Sequence, residues 1–259
     1  MSRFTNLEFN SGSNDHEPLR QHDNARDAGR FETEAQGAFE HADFEGALRA
    51  FAKAIEFNPR SAVAWTGQVR ALIELGEFAE ASLWADKALE KFPEEAELLA
   101  AKAVSLARGG DAEGALAFSD ASVTGRGDTP YVWLARGDVL LARQEHRAEF
   151  CFEKALVLAA KDWFVTWLAA RIRAFYRQFT LALKLAREAL GWKPDSVVLW
   201  VFAGQCQREL GLVSAAEQSF QQALQLDPHC HAARLGVVEL LNTGIGTWLG
   251  GWWRRLKGK

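Results

Sequence analysis

The sequence predicts an all-α protein in which six helix hairpins stack side by side and a final helix caps the last hairpin. Two observations predict this fold. Alanine recurs every 33 or 34 residues, and another small residue follows each of these alanines seven positions later. A bulky residue, usually aromatic, recurs upstream with the same spacing. Independent series that share one period are typical of repeat architectures, so we expect each period to be one structural unit.

Four series and a set of prolines define the units. The recurring alanines are Ala47, Ala81, Ala115, Ala148, Ala182 and Ala216. The small residues that follow them are Ala54, Ala88, Ser122, Ala155, Ala189 and Ala223. Between the two lie Phe51, Ala85, Ser119, Phe152, Ala186 and Phe220. The bulky series is Phe31, Trp65, Leu99, Trp133, Trp167 and Trp200, and proline closes four units at Pro59, Pro93, Pro194 and Pro228. Small residues let two helices approach closely, and proline ends a helix where the chain turns.

These series divide the chain into three parts. The repeats occupy residues 28–244, in units at about 28–61, 62–95, 96–129, 130–162, 163–196 and 197–230, with a cap helix at 231–243. Residues 1–27 are polar and aperiodic, which predicts a disordered leader. Residues 245–259 form a tryptophan-rich, basic tail.

A bulky fourth residue, small eighth and twentieth residues and a closing proline resemble the tetratricopeptide repeat. The sixth unit matches well, through Trp200, Gly204, Gly211, Ala216, Phe220, Ala223 and Pro228. The resemblance implies a right-handed α-solenoid and an adaptor, scaffold or assembly factor for protein–protein interaction. Unit five departs from the pattern, with Arg171 where a small residue is usual.

The resemblance also implies that a protein or peptide partner binds on the concave face, which the first helix of each unit lines. In units one to three, the corresponding positions are mostly small or polar, and in units four to six they become apolar. The predicted partner-binding residues are Arg70, Leu134, Asp138, Leu168, Ile172, Phe175, Val201, Phe202 and Gln205. An exposed apolar surface often marks a partner site. The alternative interpretation is that these apolar side chains simply pack against each other.

Some repeat domains of this kind bind the acidic C-terminal tails of chaperones through a clamp of lysine and asparagine. The matching positions here hold Glu32 and Gln36, then Gly67, then Glu97 and Ala101. The sequence therefore predicts that this protein does not bind carboxylate tails through such a clamp.

The tail suggests three roles that the sequence does not separate. Its predicted anchor residues, apolar or basic, are Trp248, Leu249, Trp252, Trp253, Arg254, Arg255 and Lys257. An amphipathic stripe with tryptophan and arginine is typical of a peripheral membrane anchor, and the same residue types serve as protein-interface anchors. The third role is docking of the tail on the last repeat or in the protein's own groove. Apart from these three roles, the apolar tail also suits self-association into a homo-oligomer.

Composition excludes several functional classes. The formal net charge of −4 gives no reason to expect a general nucleic-acid binder, and three cysteines cannot form a fully paired disulfide framework. The most apolar stretch, residues 163–185, is interrupted by arginines, so we expect no membrane span and a cytoplasmic protein. The six histidines lie in no recognisable catalytic arrangement, and the sequence predicts no enzyme, no cofactor and no metal site. An accessory subunit of an enzyme complex is a further alternative.

Overall fold

The computed structural model describes residues 18–124 and 128–241, with side chains from residue 25 onward, and every regular element in these ranges is an α-helix. The helices are α1 (Pro18–Glu40), α2 (Phe44–Phe57), α3 (Ala62–Glu74), α4 (Phe78–Leu89), α5 (Ala96–Arg108), α6 (Ala112–Thr124), α7 (Pro130–Ala142), α8 (Ala148–Ala159), α9 (Trp163–Phe175), α10 (Phe179–Trp192), α11 (Val197–Glu209) and α12 (Val213–Leu226). Residues 231–241 form a further helix, α13. The predicted all-α fold is confirmed for the described residues.

Helix α1 starts earlier than the sequence predicted. It begins at Pro18, inside the stretch assigned to a disordered leader. Polar composition suggested disorder, but no glycine or proline interrupts the chain between Pro18 and Gly29. Proline is well tolerated in the first turn of a helix, where its missing N–H has no partner to lose. The hairpin therefore extends back to Pro18.

The chain divides into an N-terminal and a C-terminal compact unit, each containing several repeats, with the boundary between Ala155 and Leu156. In the N-terminal compact unit, consecutive helices from α1 to α7 pack against one another, and so do the first helices of successive hairpins: α1 with α3, α3 with α5, and α5 with α7. In the C-terminal compact unit, α9 to α12 pack in chain order. The first helices of hairpins one to four thus form one layer in the N-terminal compact unit.

The three series of small residues and phenylalanines lie in the interior of these hairpins. Every member is buried, from Ala47 in α2 to Ala223 in α12. None of the described helices combines the length and the hydropathy needed to cross a bilayer.

Where the third series carries phenylalanine, a facing helix carries glycine. The ring of Phe51 lies so close to Gly67 that a Cβ there would be 2.3 Å from the ring. Phe220 lies against Gly204 and Gly236 in the same way, with distances of 2.7 Å and 2.4 Å to a Cβ at each. The large and small residues are therefore complementary across the helix interfaces, as close packing requires.

The bulky series and the closing prolines are joined by hydrogen bonds. The indole Nε1 of Trp65 donates to the carbonyl of Pro59 at 3.1 Å, and that of Trp200 donates to the carbonyl of Pro194 at 2.8 Å. In unit four, which follows no proline in register, Trp133 donates instead to the carboxylate of Asp128 at 2.9 Å. Each bond ties the start of a hairpin to the turn before it.

Candidate functional site

The helices α1, α3 and α5 line an open groove of about 570 Å³ in the N-terminal compact unit. We call it the acidic groove. Its lining residues are Gly29, Glu32, Thr33, Gln36, Gly37, Glu40, Phe51, Ala62, Val63, Thr66, Gly67, Arg70, Glu95 and Glu97. On α1, the small residues and the polar residues each recur every four positions, so each set follows one face of the helix.

The charged lining is mainly acidic. The lining contains four glutamates, Glu32, Glu40, Glu95 and Glu97, and one arginine, Arg70. Glu32 accepts a hydrogen bond from Ser61 and Glu97 accepts one from Thr129. A carboxylate has about four acceptor positions. The single hydroxyl hydrogen bond therefore orients the carboxylates of Glu32 and Glu97 and leaves each of them with acceptor capacity for a ligand.

Arg70 is held in place by aromatic rings. Its guanidinium carbon lies 3.9 Å from the ring centroid of Tyr131 and 5.5 Å from that of Phe39. Burial raises the pKa of the Tyr131 hydroxyl above its ordinary value. Stacking of this kind uses the flat face of the guanidinium and not the N–H donors at its edge. Arg70 is thus a fixed donor group among four carboxylates.

Comparison with known families gives two matches, both to the tetratricopeptide repeat. One covers residues 38–105 and the other residues 168–229, and together they span about half of the chain. The chain belongs to the tetratricopeptide repeat family. Proteins of this family are repeat scaffolds for protein–protein interaction and are generally not catalytic. The acidic groove lies on the first helices of its first three repeats.

Individual proteins match this chain at low sequence identity. Human tetratricopeptide repeat protein 7A is 27% identical over 111 residues, which are 42% of this chain and 13% of that protein. A tetratricopeptide repeat protein from Parabacteroides merdae has a TM-score of 0.50 at 14% identity, over 85% of this chain and 88% of its own. PilW, a widely conserved type IV pilus biogenesis factor, also has a TM-score of 0.50, at 16% identity over 81% of this chain and 98% of its own. At these identities, the two structures show a common fold.

Of the predicted partner-binding residues, Arg70 lies in the acidic groove. Most of the apolar ones are in the interior. Exposure is 8% or less for Leu134, Leu168, Ile172, Val201 and Phe202. Val201 packs in a core cluster of this repeat protein with Phe220, Ala233 and others. Burial favours the alternative interpretation, in which these side chains pack within the protein.

Two of the remaining predicted residues are accessible, and one is not. Phe175 is 44% exposed at the end of α9, and Gln205 is exposed on α11. Asp138, in contrast, is buried on α7, where its Oδ2 accepts from Nε and Nη2 of Arg108 at 3.0 Å and 2.7 Å. The side chain of Arg108 is only 5% exposed and that of Asp138 only 1%. The pair therefore links α5 to α7 in the interior of the N-terminal compact unit.

Some functional features were missed or lie outside the described part of the chain. Glu40 and Glu95 were not singled out, although Glu40 continues the four-residue spacing from Glu32 through Gln36 along one helix face. Tyr131, which supports Arg70, has no signal in the sequence because it belongs to a different repeat. The tail anchor residues, Trp248 to Lys257, lie outside the described residues.

Proposed function

We propose that this repeat protein is a non-enzymatic adaptor or assembly factor, and that a partner polypeptide binds in its acidic groove. The observation that supports the proposal most directly is an open groove of about 570 Å³ lined by three successive first helices. Grooves between helices accept extended or helical segments of other proteins. Most of the apolar residues predicted for this role are buried, so the groove offers the more accessible surface.

The charge of the groove favours a basic segment. Four carboxylates attract lysine and arginine side chains, and the contribution is largest at low salt. Arg70 adds donors that suit a backbone carbonyl of the same segment. The arrangement opposes binding of an acidic tail, in line with the missing lysine and asparagine clamp.

A photo-crosslinking residue in the groove tests the proposal. Val63 lines the groove and is 67% exposed, whereas Val157 on α8 is 78% exposed and is not among the lining residues. We expect a crosslinker at Val63 to capture a distinct set of polypeptides in cells, identified by mass spectrometry, and the same residue at Val157 not to capture it.

Charge reversal tests the electrostatic part. Glu40→Lys with Glu95→Lys should reduce this capture at least tenfold, because two attractive charges become repulsive. The matched control, Glu90→Lys with Glu94→Lys, makes the same change in net charge at two exposed positions that do not line the groove. Equal capture from Val63 and Val157, or equal loss in both double variants, would contradict the proposal.

Membrane association through residues 245–259 is a separate proposal, supported by the tail's four basic residues, its three tryptophans and its lack of acidic residues. Such a composition suits the headgroup region of an anionic bilayer. The full chain should float with anionic vesicles, and a chain ending at residue 244 should not. Equal flotation of both would refute the anchor.

A further inference from the structure

A long basic side chain of the third hairpin fills the space between the second helices of hairpins two and three. Lys102 on α5 reaches back to α4, where its Nζ donates to Oγ of Ser82 and to Oδ2 of Asp86, each at 2.7 Å. The same Nζ lies 5.7 Å from the ring centroid of Phe118 on α6. The Lys102 side chain is only 6% exposed. Lysine and phenylalanine thus occupy the space between α4 and α6 completely enough to bury the lysine.

The fourth hairpin repeats this arrangement with arginine. Arg136 stands one period after Lys102, and its Nη1 donates to Ser119 and to Asp120 on α6. A basic residue of the first helix that pairs with serine and aspartate of the preceding second helix is therefore a recurring device of this chain.

The sixth hairpin lacks both filling residues. Three periods after Lys102 and Phe118 stand Ala203 and Ser219, and Arg187 stands three periods after Asp86. A pocket of about 620 Å³ lies at this place, lined by α10, α11 and α12. The pocket is open because small residues stand where lysine and phenylalanine fill the third hairpin. An arginine at the position that corresponds to Asp86 makes the charge beside the pocket positive instead of negative.

The pocket lining is suited to a carboxylate. Arg187, Gln218 and Gln222 are exposed at the pocket, and each carries N–H donors. Deeper in the pocket, Ser219 and Gln207 are hydrogen-bonded to each other at 2.7 Å, which holds two buried polar groups in fixed positions.

The pocket also has an apolar wall. Leu190 and the indole of Trp200 line it, and the Trp200 Nε1 is already bonded to Pro194. This wall can pack against the methylene groups of a glutamate side chain.

We propose that this pocket binds an acidic side chain of a partner polypeptide. In hairpins three and four, the protein's own lysine or arginine enters from the first helix and meets an aspartate. At hairpin six, the preceding helix α10 supplies the arginine and the space is left open, so the complementary group is a carboxylate from outside. Arginine and amide donors recognise a carboxylate through charge-assisted hydrogen bonds. The pocket is lined by other helices than the acidic groove and selects the opposite charge.

Nuclear magnetic resonance with three short peptides tests the proposal. The full-length protein, labelled with ¹⁵N, is titrated with acetyl-Ala-Ala-Glu-Ala-Ala-amide and with the versions that carry Gln or Lys in place of Glu. We expect the Glu peptide to shift the side-chain amides of Gln207, Gln218 and Gln222 and the indole N–H of Trp200. The Gln peptide should bind about tenfold more weakly, and the Lys peptide should cause no shift at these groups.

Two variants link the shifts to the pocket. Arg187→Ala removes an exposed side chain, so it should keep the fold and weaken Glu-peptide binding about tenfold. Arg187→Asp with Ala203→Lys transplants the Lys102–Asp86 pair into the pocket and should abolish the shifts.

Three results would overturn the assignment: shifts of equal size with the Lys peptide, shifts unaffected by Arg187→Ala, or equal binding of acetate alone, which would indicate a site for small carboxylates. Loss of capture at Val63 would not bear on this result, because the acidic groove is lined by different residues.

Discussion

Replacing Asp138 by asparagine should lower the free energy of unfolding by about 3 to 5 kcal/mol, the range found when one partner of a buried ion pair is removed. The change takes away the carboxylate that accepts two hydrogen bonds from Arg108. Both side chains are almost fully buried, so water cannot replace that carboxylate. Urea denaturation followed by circular dichroism measures the effect.

The matched control is Asp120→Asn. Asp120 pairs with Arg136 at 2.8 Å, but its side chain is 56% exposed. Exposed pairs contribute about 0 to 1 kcal/mol, because water and salt screen both charges. If Asp138→Asn cost no more than Asp120→Asn, the Arg108–Asp138 pair would contribute no more to stability than an exposed pair.

Gly67→Ala should destabilise the protein by about 1 to 3 kcal/mol, the usual cost of adding a methyl group to a filled interior. The new Cβ would lie 2.3 Å from the ring of Phe51, which is itself 4% exposed, so the ring or the facing helix would have to shift. Thermal and urea denaturation would both show the loss.

Gly37→Ala provides the control at another helical glycine of the N-terminal compact unit. No atom lies within 4 Å of a Cβ placed there, so alanine should stabilise α1 by about 0.5 to 1 kcal/mol through reduced backbone freedom in the unfolded chain. The two changes are chemically identical and should have opposite signs. The same sign and size at both positions would rule out the Phe51–Gly67 contact as the cause.

The acidic groove could be predicted only in part. The register placed Glu32, Gln36, Arg70, Glu97 and Ala101 on the first helices of the first three repeats, and all of these except Ala101 line the groove. The register could not show that Tyr131 stacks on Arg70, because the two residues are about 60 positions apart along the chain and meet only through packing. Nor could it show that Ala203 and Ser219 together open a pocket, since a small residue usually means close helix contact.

Local periodicity by itself determined the fold, because a 34-residue alternation of small and bulky residues can bury its apolar surface only as stacked hairpins. It also determined the family, through the residues that the same packing requires. Only the tertiary structure decided which side chains remain exposed. Leu134, Leu168 and Phe202 occupy positions that the resemblance assigned to partner binding, yet they are buried. Exposure depends on the neighbouring helices and on how far each side chain reaches between them, and one residue's place in a repeat does not specify either.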